Sequence, residues 1–299
     1  MKYKDFSQYM SEKFPGVKVQ KISINAGFSC PNRDGTIGTG GCIYCDNTSF
    51  TPGYCFTSND IESQLEAGKQ FFSKKYQNMQ YLAYFQSFSN TFGRPVDELR
   101  DIYNRAASVP GVIGLIIGTR PDTLPEEVVE MLAEINQKLP VIVELGAETS
   151  HNTTLKIINR GHTWEDVEDA VFRLNSAGIS VGLHLIMGLP EENTGMMLST
   201  IENAVKLPID SLKIHQLQVL KDTPLAHRIE DGSIKIINFT LEEYINLCAQ
   251  IVNIIPENIA IERFVAVAPP EKLISPKWGI KNYEFVNKLN KKLQVKSAD

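Results

Sequence analysis

Three cysteines near the beginning of the chain have a spacing suited to metal chemistry. Cys30, Cys42 and Cys45 follow the pattern C-x11-C-x2-C, in a loop that comes after a mostly apolar stretch at 17–28. Three thiolates can bind three of the four irons of an iron–sulfur cluster and leave the fourth iron open to a small molecule. A purely structural metal site is normally closed by four ligands. The count of three therefore predicts a reactive metal site.

Other interpretations of the cysteines stay open at this point. A fourth ligand, Cys55 or a histidine, would give a zinc site, and Cys42 with Cys45 would suit a thioredoxin-like redox pair. Cys248 is expected to be a buried packing residue. The loop itself favours the cluster. Its segment GTIGTGGC has four glycines, which let backbone N–H groups approach cluster sulfides closely, and Tyr44 can shield one face.

The composition indicates a globular protein of a reducing compartment. The chain has 299 residues, 42% of them hydrophobic, and a formal net charge of −5. This charge argues against a protein that coats nucleic acid, without excluding a local basic patch. Five cysteines, an odd number, do not suit a secreted disulfide framework, and no signal peptide is found. No stretch approaches the ~18 apolar residues that span a bilayer, so we expect a cytoplasmic protein with no membrane partner.

The hydrophobic pattern predicts an α/β fold, an incomplete (β/α)6 TIM-like barrel with a short C-terminal α/β extension. Six apolar runs, typical of buried parallel strands, lie at 17–28, 80–86, 112–119, 141–148, 179–189 and 211–220. Helices are predicted between them at 59–76, 96–107, 126–139, 152–159 with 163–176, and 194–207. Polar or glycine residues mark the strand ends, which favours a barrel over an open sheet, and the chemistry of such barrels gathers at that rim.

The pattern changes after Lys221. An amphipathic helix is predicted at 240–255, an apolar strand at 258–270, and a lysine-rich final helix follows. We place a boundary near Asp222. The partial barrel then covers 1–222, with the cysteine loop at 30–45, and the extension covers 223–299 and packs on the barrel.

The cysteine loop followed by six β/α units resembles the radical S-adenosylmethionine (radical SAM) enzymes. Their usual spacing is C-x3-C-x2-C, and widened first gaps occur in the branch that contains the Elongator catalytic subunit. The segment LHLIMGLPEE (183–192) is similar to the fifth-strand motif of that subunit and of oxygen-independent coproporphyrinogen oxidase. GAETSHNTTLKIINRGHT (146–163) is similar to the fourth-strand motif of the same branch. The segment 262–279 is similar to a family of small bacterial radical SAM proteins.

The resemblance implies the cofactors and the reaction. A [4Fe–4S] cluster would be held by Cys30, Cys42 and Cys45, and its open iron would bind the amino and carboxylate groups of SAM. An electron from the cluster would release a 5′-deoxyadenosyl radical, which would take a hydrogen atom from the substrate. A reductase or a flavodoxin- or ferredoxin-type protein is the expected electron donor.

The resemblance also implies which residues contact SAM. The superfamily often has Gly-Gly-Glu after its second strand; this chain has YFQSFSNTF (84–92), in which Gln86, Ser87 and Asn90 are the polar candidates. An ordinary strand-end turn is the alternative for these three residues.

Three further SAM contacts are implied by later strands. Glu148 ends the fourth strand, and Arg160 can pair with the SAM carboxylate through its planar guanidinium. His184 stands where relatives carry an aspartate that contacts the SAM ribose. A helix C-terminus for Arg160 and a core histidine for His184 are the alternatives.

The substrate is a hypothesis from the resemblance. Relatives in this branch act on the wobble uridine of tRNA, so a tRNA base comes first, with slight support from the lysine-rich final helix. Nothing after Asp222 is long enough for the acetyltransferase domain of the Elongator subunit. A small metabolite is the alternative substrate, and a non-catalytic zinc-binding α/β protein is the alternative class.

Overall fold

A computed structural model describes residues 2–56, 58, 60–73 and 79–295, and in them strands alternate with helices as the sequence predicts. The strands are β1 (Lys18–Ile24), β2 (Met79–Phe85), β3 (Val112–Thr119), β4 (Val141–Glu148), β5 (Ser180–Met187), β6 (Ser211–Gln216), β7 (Val219–Leu220), β8 (Ala260–Arg263) and β9 (Leu273–Ser275). The helices are α1 (Phe6–Lys13), α2 (Ile61–Ser73), α3 (Val96–Ser108), α4 (Glu126–Asn136), α5 (Asn152–Ile157), α6 (Trp164–Ser176), α7 (Thr194–Ala204), α8 (Pro224–Glu230), α9 (Leu241–Ile254) and α10 (Asn282–Val295). The predicted ends of the 59–76 helix lie outside the described residues.

Seven strands form one parallel sheet in the order β1-β2-β3-β4-β5-β6-β8. Within the described residues β1 and β8 are the two edges and do not pair with each other. The predicted fold class, an incomplete (β/α) barrel, is confirmed. The strands are apolar because helices cover the outer face of the sheet, and every residue of β4 is buried.

The sheet continues into 223–299, the range that is predicted to form the extension. β8 pairs in parallel with β6, with Ala260 opposite Ser211 and Ile261 opposite Leu212. A short antiparallel pair, β7 with β9, lies beside the sheet, and α9 packs against α10. The barrel therefore has a seventh strand, where the sequence predicts six. The boundary near Asp222 stays a prediction.

Helix α1 closes the bottom of the barrel. Its Tyr9 and Met10, with Phe14 just after it, pack against residues on the inner face of the sheet, including Leu82 and Ile142. An apolar helix face at this end removes the lumen from water. The rim cavity, with its polar lining, lies toward the C-terminal ends of the strands. No helix within the described parts of the chain has the length and apolar character to cross a bilayer.

Capping side chains fix where helices begin. Thr163, the residue before α6, accepts a hydrogen bond from the Asp166 backbone N–H, and the Asp166 carboxylate accepts one from the Thr163 N–H in return. Such a box satisfies two otherwise unpaired donors and stabilises a helix by about 1 kcal/mol. It begins α6 directly after the turn that carries Arg160, so the cap also helps to position that residue.

Candidate cofactor and substrate cavity

A cavity opens at the C-terminal rim of the barrel. Successive side chains of a strand point to opposite faces, so residues two apart share the lumen. On β4 these are Glu144, Gly146 and Glu148, and on β6 they are Lys213 and His215. Alternate side chains of several strands thus line the cavity. The cavity opens to solvent among the loops that follow these strands.

The three predicted metal ligands line the same cavity. Cys30, Cys42 and Cys45 are free thiols there. The Cys45 N–H donates to the Cys42 carbonyl at 3.0 Å, which closes a tight turn between the paired cysteines. Tyr44, which lies in that turn, also lines the cavity. The 12-residue separation of Cys30 from Cys42 therefore does not separate the thiols in space.

Two glycines shape the loop before Cys42. Gly40 and Gly41 have φ values of +79° and +78°, a region that side chains disfavour. A Cβ at Gly41 would lie 2.8 Å from Nε of Arg33. Arg33 in turn donates from Nη2 to the Cys45 carbonyl at 3.0 Å. The glycines thus leave room for the Arg33 side chain to cross the loop and bind the Cys45 carbonyl.

The thiols are embedded in protein. Burial, and after it the neighbouring Cys42, raise the pKa of the Cys45 thiol to about 11. Metal ligation requires the thiolate, so iron binding at this site displaces a proton. No group of three or more His, Cys, Asp or Glu side chains among the described residues is placed to hold a single metal ion. A cluster needs a different spacing, because each cysteine binds a different iron.

Arg160 connects the cysteines to β4. Its Nη1 donates to Sγ of Cys42 at 3.5 Å, its Nη2 donates to the Gly146 carbonyl at 2.6 Å, and its Nε donates to Nε2 of His162 at 3.0 Å. An ion pair with Glu148 adds a contact of 3.3 Å. Burial alone would lower the pKa of the Arg160 guanidinium, but Cys42 and Glu148 raise it well above its ordinary value. The arginine is therefore a fixed cation beside the cysteine loop.

Gly146 makes this position of Arg160 accessible. A Cβ on Gly146 would overlap the Arg160 guanidinium and would lie 2.9 Å from Oε1 of Glu148. Glu148 itself has a φ of +67°, and Phe88, another residue of the cavity lining, has a φ of +66°. Positive φ is uncommon for such residues and is often found at functional sites.

The other predicted SAM contacts are divided between the cavity and the wall behind it. Gln86 and Ser87 line the cavity; Gln86 accepts from Oγ of Ser23 at 2.8 Å. Asn90 is not brought into the cavity. It is fully buried, and its Nδ2 donates to the Phe85 and Gly118 carbonyls, which ties the ends of β2 and β3 together. In the structure, Asn90 thus stabilises the rim by hydrogen bonds to two strand ends.

His184 lies on the floor of the cavity. Its Nε2 is 2.6 Å from Oε2 of Glu144. A carboxylate only accepts, so this nitrogen carries the hydrogen. The same carboxylate oxygen accepts from Tyr84 at 2.7 Å and from Lys213 at 3.0 Å. Burial, and after it Lys213, lower the pKa of His184. The floor is thus a hydrogen-bonded network centred on Glu144.

The sequence motifs do not predict the floor residues Glu144 and Lys213 as part of the site. Their signal is a charged residue inside an apolar strand, in VIVELGAE and in SLKIHQ. Charged residues are rarely fully buried without a partner, so each of these indicates a partner elsewhere in the sheet.

The third strand contributes a support for Arg160. Arg120 makes a two-pronged ion pair with Asp122, at 2.8 and 2.7 Å, and its Nη1 donates to the Arg160 carbonyl at 2.8 Å. Arg120 and Thr119 line the cavity. Cys55, the possible fourth zinc ligand, does not line it; its buried thiol donates to the Ser23 carbonyl at 3.2 Å.

Known families and proteins match this chain along its length. The family model of the Radical SAM superfamily matches residues 34–204, and that of the Radical_SAM C-terminal domain matches residues 209–295. Uncharacterized protein YtqA of Bacillus subtilis (strain 168) is 35% identical over 99% of this chain and 91% of its own length. The tRNA uridine(34) acetyltransferase of Methanocaldococcus jannaschii is 31% identical over 54% of this chain and 30% of the acetyltransferase.

A solved structure has the same fold. Archaeal Methanocaldococcus infernus Elp3 with an N-terminus deletion matches with a TM-score of 0.71 at 19% identity, over 94% of this chain. The match spans 63% of the Elp3 chain, which is less than two thirds of it. The relation to Elongator-type proteins that the sequence motifs predict is confirmed.

Proposed function

The chain belongs to the radical SAM superfamily, whose cofactors are a [4Fe–4S] cluster and SAM, and we propose that the rim cavity is where this chain binds both. Cys30, Cys42 and Cys45 would hold the cluster. The observation that carries the proposal is that all three line one cavity together with Arg160 and Glu148. The donor set fits the cofactor, since three free thiols stand beside a fixed guanidinium that offsets thiolate charge.

Residues of the chain would bind and orient SAM. Glu148 is a carboxylate beside the cysteine loop and suits the SAM amino group, and Arg160 suits its carboxylate. Gln86 and Ser87 add polar groups from the neighbouring second strand. The bound cluster would supply the one-electron reduction of SAM that starts radical chemistry on the substrate. The apolar layer under the lumen keeps water from entering from below.

A cleavage assay tests this site. The protein is reconstituted anaerobically with iron and sulfide, reduced with dithionite and given SAM, and 5′-deoxyadenosine is measured by chromatography. Cys30→Ala, Cys42→Ala and Cys45→Ala should each lose cluster iron and product to background. Cys55→Ala is the matched control and should retain both, because Cys55 lies outside the cavity. Unchanged iron content in the three cavity variants would refute the assignment.

We propose further that the substrate is a tRNA base. The similarity to a tRNA uridine(34) acetyltransferase over 169 residues supports it, as do the exposed Lys288 and Lys291 on α10. Lysines on one helix suit a phosphate backbone. Acetyl transfer is not part of the proposal, because the match covers 30% of that enzyme.

The same assay distinguishes the substrate classes. Bulk tRNA from cells that lack the gene should raise the yield of 5′-deoxyadenosine above the substrate-free level, and ribonuclease treatment should abolish the increase. If a tRNA-free filtrate of small metabolites raises the yield of 5′-deoxyadenosine and tRNA does not, the tRNA hypothesis is wrong and the substrate is a small molecule.

A further inference from the structure

Four charged side chains form one ionic network, and two of them, Glu144 and Lys213, line the cavity. Lys21 contacts Glu144 at 2.7 Å and Glu262 at 2.6 Å, and Lys213 contacts the same two carboxylates at 3.0 and 3.1 Å. Each lysine thus touches both glutamates in a closed ring of two positive and two negative charges. We call these four residues the floor ring. Its formal charge is zero, so it has no carboxylate left for a further cation.

Arg263 lies beside the floor ring and lacks such a partner. It follows Glu262 on β8, is in register with Lys213 on β6, and lines the cavity. Within the described parts of the chain its side chain makes no ion pair or hydrogen bond, and its Nε is buried without an acceptor. A buried donor without an acceptor is unfavourable, so it indicates a partner that is missing here. The guanidinium therefore adds one uncompensated positive charge to this side of the cavity.

The neighbouring histidine does not change this balance. Nδ1 of His215 lies 2.9 Å from the Gln216 carbonyl, which can only accept, so Nδ1 carries the hydrogen. Burial, and after it Arg263, lower the pKa of His215 to about 3. The ring is therefore neutral at physiological pH. Arg263 remains the source of positive charge beside the floor ring.

A second unpaired group lies on the same side. The Gln218 side chain is buried, and its Nε2 donates to the Ala266 carbonyl at 3.1 Å, which fixes the amide. Its Oε1 is buried and has no donor within the described residues. Gln218 also lines the cavity. The strands β6 and β8, with the loops that follow them, thus present one unpaired cation and one unpaired acceptor.

We propose that Arg263 and Gln218 form a substrate subsite on this side of the cavity. Arg263 binds an oxyanion of the substrate, a carboxylate or a phosphate, and Gln218 accepts a hydrogen bond from an O–H or N–H group of the same molecule. The inference rests on the proposed function, because it takes the cysteine side of the cavity as the cofactor side. A planar guanidinium can bind either oxyanion through two parallel hydrogen bonds.

Anion binding tests the subsite. Reconstituted protein with SAM, unreduced and anaerobic, is titrated by calorimetry with inorganic phosphate and, separately, with malonate. The wild-type chain should bind at least one of them, and Arg263→Gln should weaken that binding at least about tenfold, the equivalent of about 1.4 kcal/mol. Arg228→Gln removes the same charge from an exposed position on α8 and should leave the affinity unchanged. Preference for phosphate or for malonate identifies the source of the oxyanion.

Two further results separate this inference from the proposed function. Cluster iron and substrate-free 5′-deoxyadenosine formation should be the same in Arg263→Gln and in the wild type. Parallel loss of both would place Arg263 in the cofactor site and overturn the subsite. Equal affinities of the wild type and Arg263→Gln for both anions, or no binding by the wild type, would overturn it as well. Absence of 5′-deoxyadenosine in every protein would refute the proposed function, while the anion comparison would still decide the subsite.

Discussion

Arg160 can occupy its position because Gly146, on β4, has no side chain. Its guanidinium occupies the space next to Gly146 and reaches the sulfur of Cys42 and the carboxylate of Glu148. Even a methyl group on Gly146 would overlap it. This glycine is thus needed for the space it leaves, since its φ is not in the positive region.

Gly146→Ala should disrupt the cofactor site without unfolding the protein. The added methyl group displaces Arg160, which loses a charged hydrogen bond worth about 1.5–3 kcal/mol. We expect SAM affinity, measured by equilibrium dialysis on reconstituted protein, to fall at least about tenfold. The circular dichroism spectrum should stay that of the wild type.

Gly53→Ala is the matched control for this variant. A Cβ at Gly53 meets no atom within 4 Å, and the residue is exposed. It should bind SAM as the wild type does. Unchanged SAM affinity in Gly146→Ala would contradict the role given to Arg160.

Site residues that belong to a short sequence motif could be predicted from the sequence. Site residues whose role depends on partners far away in the sequence could not. The cysteines, Glu148 and Arg160 belong to recognisable motifs, and all line the cavity. Asn90 has the same kind of signal, but its amide is used by two strand ends. Glu144 and Lys213 lie 69 positions apart in the sequence. The residues around either one do not indicate that the other is its partner.

Among the elements, α1 has the least obvious role. It precedes the first strand and takes no part in the β/α alternation, yet its apolar face covers the bottom of the lumen. Phe14 follows the helix directly and packs in the same buried cluster as Leu82 and Ile142. Gly114 on β3 leaves room for Leu82, since a Cβ there would lie 2.7 Å from that side chain. The helix thus serves as the lower wall of the barrel.

Phe14→Ala should destabilise the whole barrel. Removing a buried phenylalanine costs about 3–5 kcal/mol, from lost burial and from the cavity that remains. Urea unfolding followed by circular dichroism measures the loss. Phe71→Ala makes the same change at a residue that is 66% exposed and should alter the free energy of unfolding by no more than about 0.5 kcal/mol. Equal losses in the two variants would contradict the role of α1.

The sequence predicts the central strands closely and the ends of the chain less well. The runs at 112–119 and 141–148 coincide with β3 and β4, because nearly continuous burial makes most of their residues apolar. The run at 17–28 extends past β1, since the chain turns away at Gly27, where φ is +71°. The hydrophobic pattern does not predict α1. It has eight residues, too few for a clear hydrophobic period.

At the scale of the whole molecule, the floor ring joins the edges of an open sheet. Lys21 is on β1 and Glu262 is on β8, the two strands that the backbone leaves unpaired with each other, and their side chains meet at 2.6 Å. Glu144 and Lys213 connect this pair to the middle of the sheet. Side-chain charges thus bridge the seam that hydrogen-bonded strands would close in a complete barrel.

Glu144→Gln tests this bridge, because it leaves two buried lysines with one carboxylate. Removing one member of a buried ionic network costs about 3–5 kcal/mol, so we expect that loss in the free energy of unfolding at pH 7. The matched control is Glu242→Gln, which breaks an exposed ion pair with Lys292 and should cost less than about 1 kcal/mol.

The pH dependence of the free energy of unfolding provides a second test of the same bridge. Burial alone would raise the pKa of the Glu144 carboxyl, but Lys21 and Lys213 lower it well below its ordinary value of 4.5. As the pH falls below that value, the unfolded chain takes up a proton before the folded chain does. The stability that the ionised carboxylate provides is therefore full above pH 4.5 and is lost as the pH falls toward the folded-state pKa. Urea unfolding between pH 6 and pH 3 should show a steeper acid loss in the wild type than in Glu144→Gln, and parallel curves would mean that Glu144 does not hold the seam.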